Sequence, residues 1–178
     1  MLRLKYTYPL FLFFLLACNG EEDEHMILND PNWTQDSSSD MNAQFTAEED
    51  EEIQLFLTTH PDWKMTETGT GLYYMIYSKS ESSDTAKVGQ TVTVDFEISL
   101  LNGEICYTSN QKGPESFIVE KSDIESGLHE GIQKMCIGDK AKFIIPSHAA
   151  HGLIGDTEKI PPLSPVIYDI ELLKIENL

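Results

Sequence analysis

The sequence predicts an α+β domain of five or six antiparallel strands and one short core helix, preceded by an acidic N-terminal arm. Three observations predict it. Residues 91–101 and 166–172 alternate apolar and polar side chains with the period of a half-buried strand. Asn102-Gly103 follows the first of these runs and is a strong short-range hairpin signal. Leu128, Ile132 and Met135 fall at helical spacing along residues 126–135, which predicts a single core helix of two to three turns.

The chain has 178 residues, room for one such domain plus appendages. Its formal charge of −18 and pI near 4.4 oppose a nucleic-acid partner. Residues 1–17 read as a lipoprotein signal peptide. Arg3 and Lys5 precede an apolar run, Pro9 to Leu16, that is too short to span a bilayer and ends at Ala17-Cys18. Leu15-Leu16-Ala17-Cys18 resembles the bacterial lipobox, whose cysteine is diacylated and becomes the mature N-terminus. Cys18 is therefore the expected lipidation site, with a plain signal peptide or an uncleaved anchor as the alternatives. Lipid chains contribute about 0.8 kcal/mol per buried methylene, so more than one gives stable anchoring. The expected location is the bacterial envelope, at the outer membrane rather than the inner, facing the periplasm or the surface.

Residues 18–45 are polar, acidic and without periodicity, which predicts a flexible tether. Thr46-Ala47-Glu48-Glu49 has the form of a capping box and opens a predicted helix over 47–59, closed by His60-Pro61, in an extension spanning 46–65. Its apolar side is compatible with packing on the domain, on a second copy or on a partner. The folded domain then occupies 66–178. Residues 66–71 form a turn-rich lead-in to a strand at 72–77. The 91–101 strand and its return at 104–109 follow, then a short strand at 116–119 and the helix. The strands at 141–145 and 166–172 close the domain. Between these two lies a loop of a length that is usually functional or disordered. Its apolar Leu153, Ile154 and Ile160 argue for a packed rim over a cleft.

Two cysteines, Cys106 and Cys136, remain after the lipid site, and they read as small buried apolar residues rather than a bridge. His148 and His151 are three apart, but their loop has no helical period and no third ligand nearby, so a metal site is not expected. Neither Ser147 nor Cys106 has an identifiable base, which disfavours a hydrolase.

Residues 88–176 resemble the FKBP-type peptidyl-prolyl cis-trans isomerases along their whole length. The resemblance is carried by Val88-Gly89-Gln90-Thr91-Val92-Thr93-Val94, Gly127-Leu128-His129-Glu130-Gly131-Ile132 and Met135-Cys136-Ile137-Gly138-Asp139-Lys140-Ala141. To these are added Ile145-Pro146-Ser147 and Ile160-Pro161-Pro162 leading into the last strand. The lipoprotein arm and Tyr107-Thr108-Ser109 are also similar to gliding-motility-associated lipoprotein isomerases. The resemblance implies a half-barrel sheet wrapped around the helix and rotation about X–Pro bonds of exported polypeptides, with no cofactor. It assigns catalytic positions to Phe96, Tyr107, Ile124, Leu128, His151, Ile160 and Tyr168, and substrate contacts to Cys106, Phe117 and Asp123. Each apolar member could equally be plain core. Cys106 stands where the family usually has Phe, Tyr107 where it has Asp, and Glu125 where it has Ile. Leu128 replaces a floor Trp, Glu115 an aromatic at the pocket edge, and His151 a Tyr that donates to the substrate carbonyl. These replacements keep open a second reading, a weak or inactive module that holds proline-containing partners.

Overall fold

The computed structural model describes residues 35–177, so the signal segment, Cys18 and residues 18–34 lie outside the described residues. One antiparallel sheet organises the rest. Its strands are β1 (Thr66–Glu67), β2 (Tyr73–Ser78), β3 (Thr91–Leu100), β4 (Ile105–Thr108), β5 (Glu115–Ile118), β6 (Lys140–Ile145) and β7 (Val166–Glu176). Their order is β1-β2-β6-β7-β3-β4, with β5 also paired to β3. This is the expected α+β architecture with one additional strand. The extra element, β1, is two residues long and forms inside the lead-in.

β7 is central. It pairs with β3 from Leu100↔Val166 to Thr91↔Glu176, and with β6 from Ile145↔Val166 to Lys140↔Glu171. The opposite edge of β3 is shared between two partners. Glu97 to Ser99 pair with β4, whereas Thr91 to Val94 pair with β5. Between them the chain turns through a four-residue helix, α2 (Ser109–Lys112), whose N-cap Thr108 accepts from the Asn110 amide. Ser109, expected in the return strand, sits instead at this break and is buried. The Phe96 N–H falls between the two strand pairings and donates to Ser109 Oγ at 3.0 Å. The Ser109 hydroxyl itself donates to the Asp95 carboxylate.

Both sheet faces are covered. On one lies α3 (Ser126–Ile132), whose Leu128 and Ile132 pack with Val92, Val94, Phe143, Ile145, Tyr168 and Ile170. Gly127 and Gly131, four residues apart and so on one helix face, let α3 sit directly on β6. A Cβ at Gly127 would lie 2.3 Å from Ile145 Cγ2, and one at Gly131 2.7 Å from the Phe143 ring. The other face carries a smaller core of Ile53, Tyr73, Ile144 and Ile167, flanked by Phe56, Leu57 and Trp63. Strand alternation explains the division. Phe143, Ile145 and Tyr168 point toward α3, so their neighbours Ile144 and Ile167 point the other way.

That second core is closed by α1 (Gln35–Thr59), a helix that begins well before the expected start at 47. Residues 35–45, expected to be tether, are therefore helical. Thr46 does not cap the helix: its hydroxyl donates to the Asn42 carbonyl at 2.9 Å, a bond made within a helix. Gln44 likewise donates to Glu48 four residues on. Glu49, the other half of the apparent capping box, has a different partner. Its two carboxylate oxygens accept from the Ser147 amide at 2.9 Å and the Ser147 hydroxyl at 2.8 Å. Glu49 is 7% exposed and Ser147 3% exposed, so the pair is buried at the root of the loop between β6 and β7.

Two substitutions test this packing by urea unfolding. Gly131→Ala forces an overpacked contact with Phe143 and should lower stability by about 1–3 kcal/mol. Glu49→Ala strands the Ser147 donors and should cost on the order of 1–3 kcal/mol.

Candidate functional site

A cavity of about 540 Å³ opens between β3, β5, the segment from Asp123 to Leu128 and the start of the β6–β7 loop. Tyr168, 3% exposed, lies at its base near the start of β7, opposite Ile98 of β3. The Phe96 ring is tilted over Tyr168 at 6.5 Å between centroids. Phe117 forms part of the wall and meets His129 edge-on at 5.8 Å. Ile124 and Leu128 add aliphatic surface from the other side, and Leu128 is buried.

The turn that delivers Asp123 and Ile124 is held by His129 of α3. Its Nδ1 accepts from the Glu120 amide at 3.0 Å, which leaves the proton on Nε2 to donate to the Ser122 carbonyl at 3.0 Å. His129 is buried, and both ring nitrogens are satisfied by backbone groups.

Glu125 carries the polar chemistry of the cavity. The Tyr168 hydroxyl donates to Glu125 Oε1 at 2.9 Å. His151 Nε2 lies 3.0 Å from the same oxygen, within ion-pair distance. The alignment does not close a hydrogen bond, so His151 Nε2 is buried without one. Burial pushes the Tyr168 phenol well above its ordinary value, reinforced by the Glu125 charge, its hydrogen bond and the charge of Glu115. The phenol therefore stays neutral and remains a donor across physiological pH.

Residues 82–173 match the sequence model of the FKBP-type peptidyl-prolyl cis-trans isomerases. The chain belongs to this family. It is 36% identical over 101 residues to FK506-binding protein 2 of Yarrowia lipolytica, a match covering 56% of this chain and 70% of that protein. It is 31% identical over 96 residues to the human peptidyl-prolyl cis-trans isomerase FKBP10; that match covers 53% of this chain and 16% of the longer relative. Among solved structures it is similar to FkpA from Escherichia coli, with a TM-score of 0.64 and 25% identity over 80% of this chain and 67% of that one.

Within this FKBP-type domain, Phe96, Phe117, Asp123, Ile124, Leu128, His151 and Tyr168 all line the cavity, as does Tyr107. Cys106 and Ile160 are not among its lining residues. Cys106 is buried and free, its thiol held near the Lys159 carbonyl at 3.7 Å and pushed up by burial first and the Glu104 and Asp156 charges next. Cys136 is free as well. Ile160 is 2% exposed and packs into the main core rather than forming a rim. Leu153 and Ile154, expected to pack beside it, are exposed.

The loop is held by polar bonds instead. Asp156 accepts the amides of Glu158, Lys159 and Ile160 at 2.9, 2.8 and 2.7 Å, and the Tyr107 hydroxyl donates to its other oxygen. The Tyr107 hydroxyl is therefore already committed to Asp156. Lys159 Nζ stacks 5.0 Å from the centre of the Tyr107 ring and donates to the Cys106 carbonyl at 2.6 Å. Gly155 makes the turn feasible: a Cβ there would fall 2.1 Å from the Ile160 carbonyl oxygen, and its φ is +71°. His148 Nε2 contacts the Thr70 carbonyl at 3.1 Å, away from the Glu125 that His151 faces.

Three residues matter here that were not assigned to the site from sequence. Ser109 supports Phe96, His129 supports the turn before Ile124, and Glu125 links Tyr168 to His151. Glu125 was visible as a carboxylate at an apolar family position. Ser109 and His129 lie within motifs that carried the resemblance, but their side chains bond backbone groups, a role that residue type alone does not reveal.

Burial raises the Asp156 pKa, but the Tyr107 hydroxyl and the amides of Ile160, Glu158 and Lys159 outweigh it and hold the carboxyl below its ordinary value. A depressed folded value means the anchoring is complete above the unfolded Asp value of about 4 and is lost as pH falls through the folded value. At pH 5 the Lys159 and Ile160 amides should exchange slowly. Asp156→Asn should speed that exchange by roughly tenfold, the loss of about 1.4 kcal/mol of local protection. Unchanged exchange would show that the loop is held by other contacts.

Proposed function

We propose that the protein catalyses cis-trans isomerisation of X–Pro bonds in exported polypeptides, from a lipid anchor at Cys18 in the bacterial envelope. The observation that carries the catalytic reading is the cavity itself: a base of Phe96 and Tyr168 beside the His151 imidazole, whose Nε2 faces Glu125 without closing a hydrogen bond. The uncatalysed barrier is about 18–20 kcal/mol because the amide is conjugated, and isomerisation takes tens of seconds or more. No bond to the protein forms, so no nucleophile is required. Proline packs against Phe96, Phe117 and Leu128. The planar amide is more charge-separated than the twisted one, so leaving water costs the ground state more than the transition state. On substrate binding the His151 imidazole turns from Glu125 to donate its Nε2–H to the substrate carbonyl and fix its orientation, while Glu125 holds the Tyr168 hydroxyl.

A second reading, proline binding without catalysis, draws on the engagement of the Tyr107 hydroxyl with Asp156, which removes one donor from the cavity. A protease-free isomerisation assay with the full chain in detergent separates the two. Acceleration over buffer is expected. His151→Phe should reduce kcat/KM by roughly fivefold to tenfold, the value of one hydrogen bond. Binding of Xaa-Pro peptides at a rate of isomerisation equal to buffer would establish the scaffold reading.

The anchor is tested separately. Cys18→Ser should move the protein from the membrane fraction to the soluble one, since dual acylation supplies the stable attachment. Retention on membranes would rule out a lipid anchor at this residue.

A further inference from the structure

The cavity that binds proline in the proposed function has a rim of one sign of charge. Glu115, Asp123 and Glu125 all line it, and no lysine or arginine does among the described residues. Glu125 is occupied, accepting the Tyr168 hydroxyl and facing His151. Glu115 and Asp123 are exposed, and their carboxylates have no hydrogen bond or ion pair among the described residues. Nearby cations are turned elsewhere. Lys159 Nζ is bonded to the Cys106 carbonyl, and Lys121 Nζ lies 3.7 Å from where a Gly89 Cβ would be. Charge from Glu115 reaches the base of the cavity, where it helps raise the Tyr168 phenol.

Two free carboxylates around a concave apolar site, with no compensating cation among the described residues, form an unfilled half of an ion pair. The field is focused where a bound chain must enter and leave. An anionic residue beside the proline meets like charge there, which is a rejecting element as well as an attracting one. In the same lining the buried His151 Nε2 faces Glu125 at 3.0 Å without closing a hydrogen bond.

We propose that Glu115 and Asp123 select substrates with a lysine or arginine next to the proline, by pairing with that side chain at the rim. This rests on the cavity being the proline-binding site. It adds a property that an apolar pocket does not supply: discrimination by charge of the flanking residue.

The test uses the full chain in detergent and fluorescent peptides that differ in one residue, Lys, Leu or Glu, placed either before or after the proline. Dissociation constants and isomerisation rates are measured at low and high salt. Each exposed carboxylate contributes on the order of a few-fold in affinity, so Lys peptides should bind roughly tenfold tighter than Glu peptides at low salt. The gap should narrow strongly in about 1 M salt, where the screening length falls to about 3 Å. Glu115→Gln with Asp123→Asn should remove most of the preference. Glu51→Gln, on the exposed face of α1, should leave it intact and so separates the local rim from the overall charge of −18. Equal affinity for Lys and Glu peptides in both flanking positions would overturn the proposal, as would an equal loss of preference in Glu51→Gln. Lys-selective binding without isomerisation would support charge selection while refuting catalysis. Isomerisation without charge preference would do the reverse.

Discussion

The pairing of β3 with β7 is the constraint on which the site depends. It runs almost the full length of both strands and places Ile98 opposite Tyr168 and Phe96 opposite Ile170. Because side chains alternate, a one-residue slip would send Tyr168 to the α1 face and bring Ile167 under α3. Phe96 needs more than register. Its position falls where the far edge of β3 passes from β4 to β5, and a strand edge left open there would leave its amide unpaired. Ser109 fills that gap.

Much of the architecture was readable because period-two alternation survives in β3 and β7, where one face meets α3. The sequence was harder to read where both faces are buried. Ile144 and Ile167 stand at positions an outward-facing reading makes polar, and they are apolar because α1 covers them. The length of α1 was hidden for a different reason. Residues 35–45 lack an apolar stripe, and Thr46-Ala47-Glu48-Glu49 satisfies the form of a cap while its members bond to Asn42 and Ser147. Both outcomes show tertiary partners overriding a local signal.

At the site, the family resemblance located most of the lining, but residue type alone did not reveal how the polar groups are used. Tyr107 and His151 both carry donors, and their roles diverge through their neighbours. Asp156 takes the Tyr107 hydroxyl and organises the loop, whereas Glu125 sits beside His151 without closing a bond. Ile160 was expected at the rim and is core, drawn in where the Asp156 carboxylate accepts its amide and those of Glu158 and Lys159. That leaves Leu153 and Ile154 free in solvent.

The buried contact between Glu49 and Ser147 bears on where this protein begins as a unit. The family match starts at residue 82, yet β2, which pairs with β6, and α1, which covers Ile144 and Ile167, both precede it. A chain trimmed to the family boundaries would present the edge of β6 as an open template for pairing and an apolar face to water. The segment matched to the family and the segment that packs together are therefore different lengths of the same chain. The segment before residue 82 covers one face of the sheet, and through Glu49 it reaches the root of the loop bearing His151.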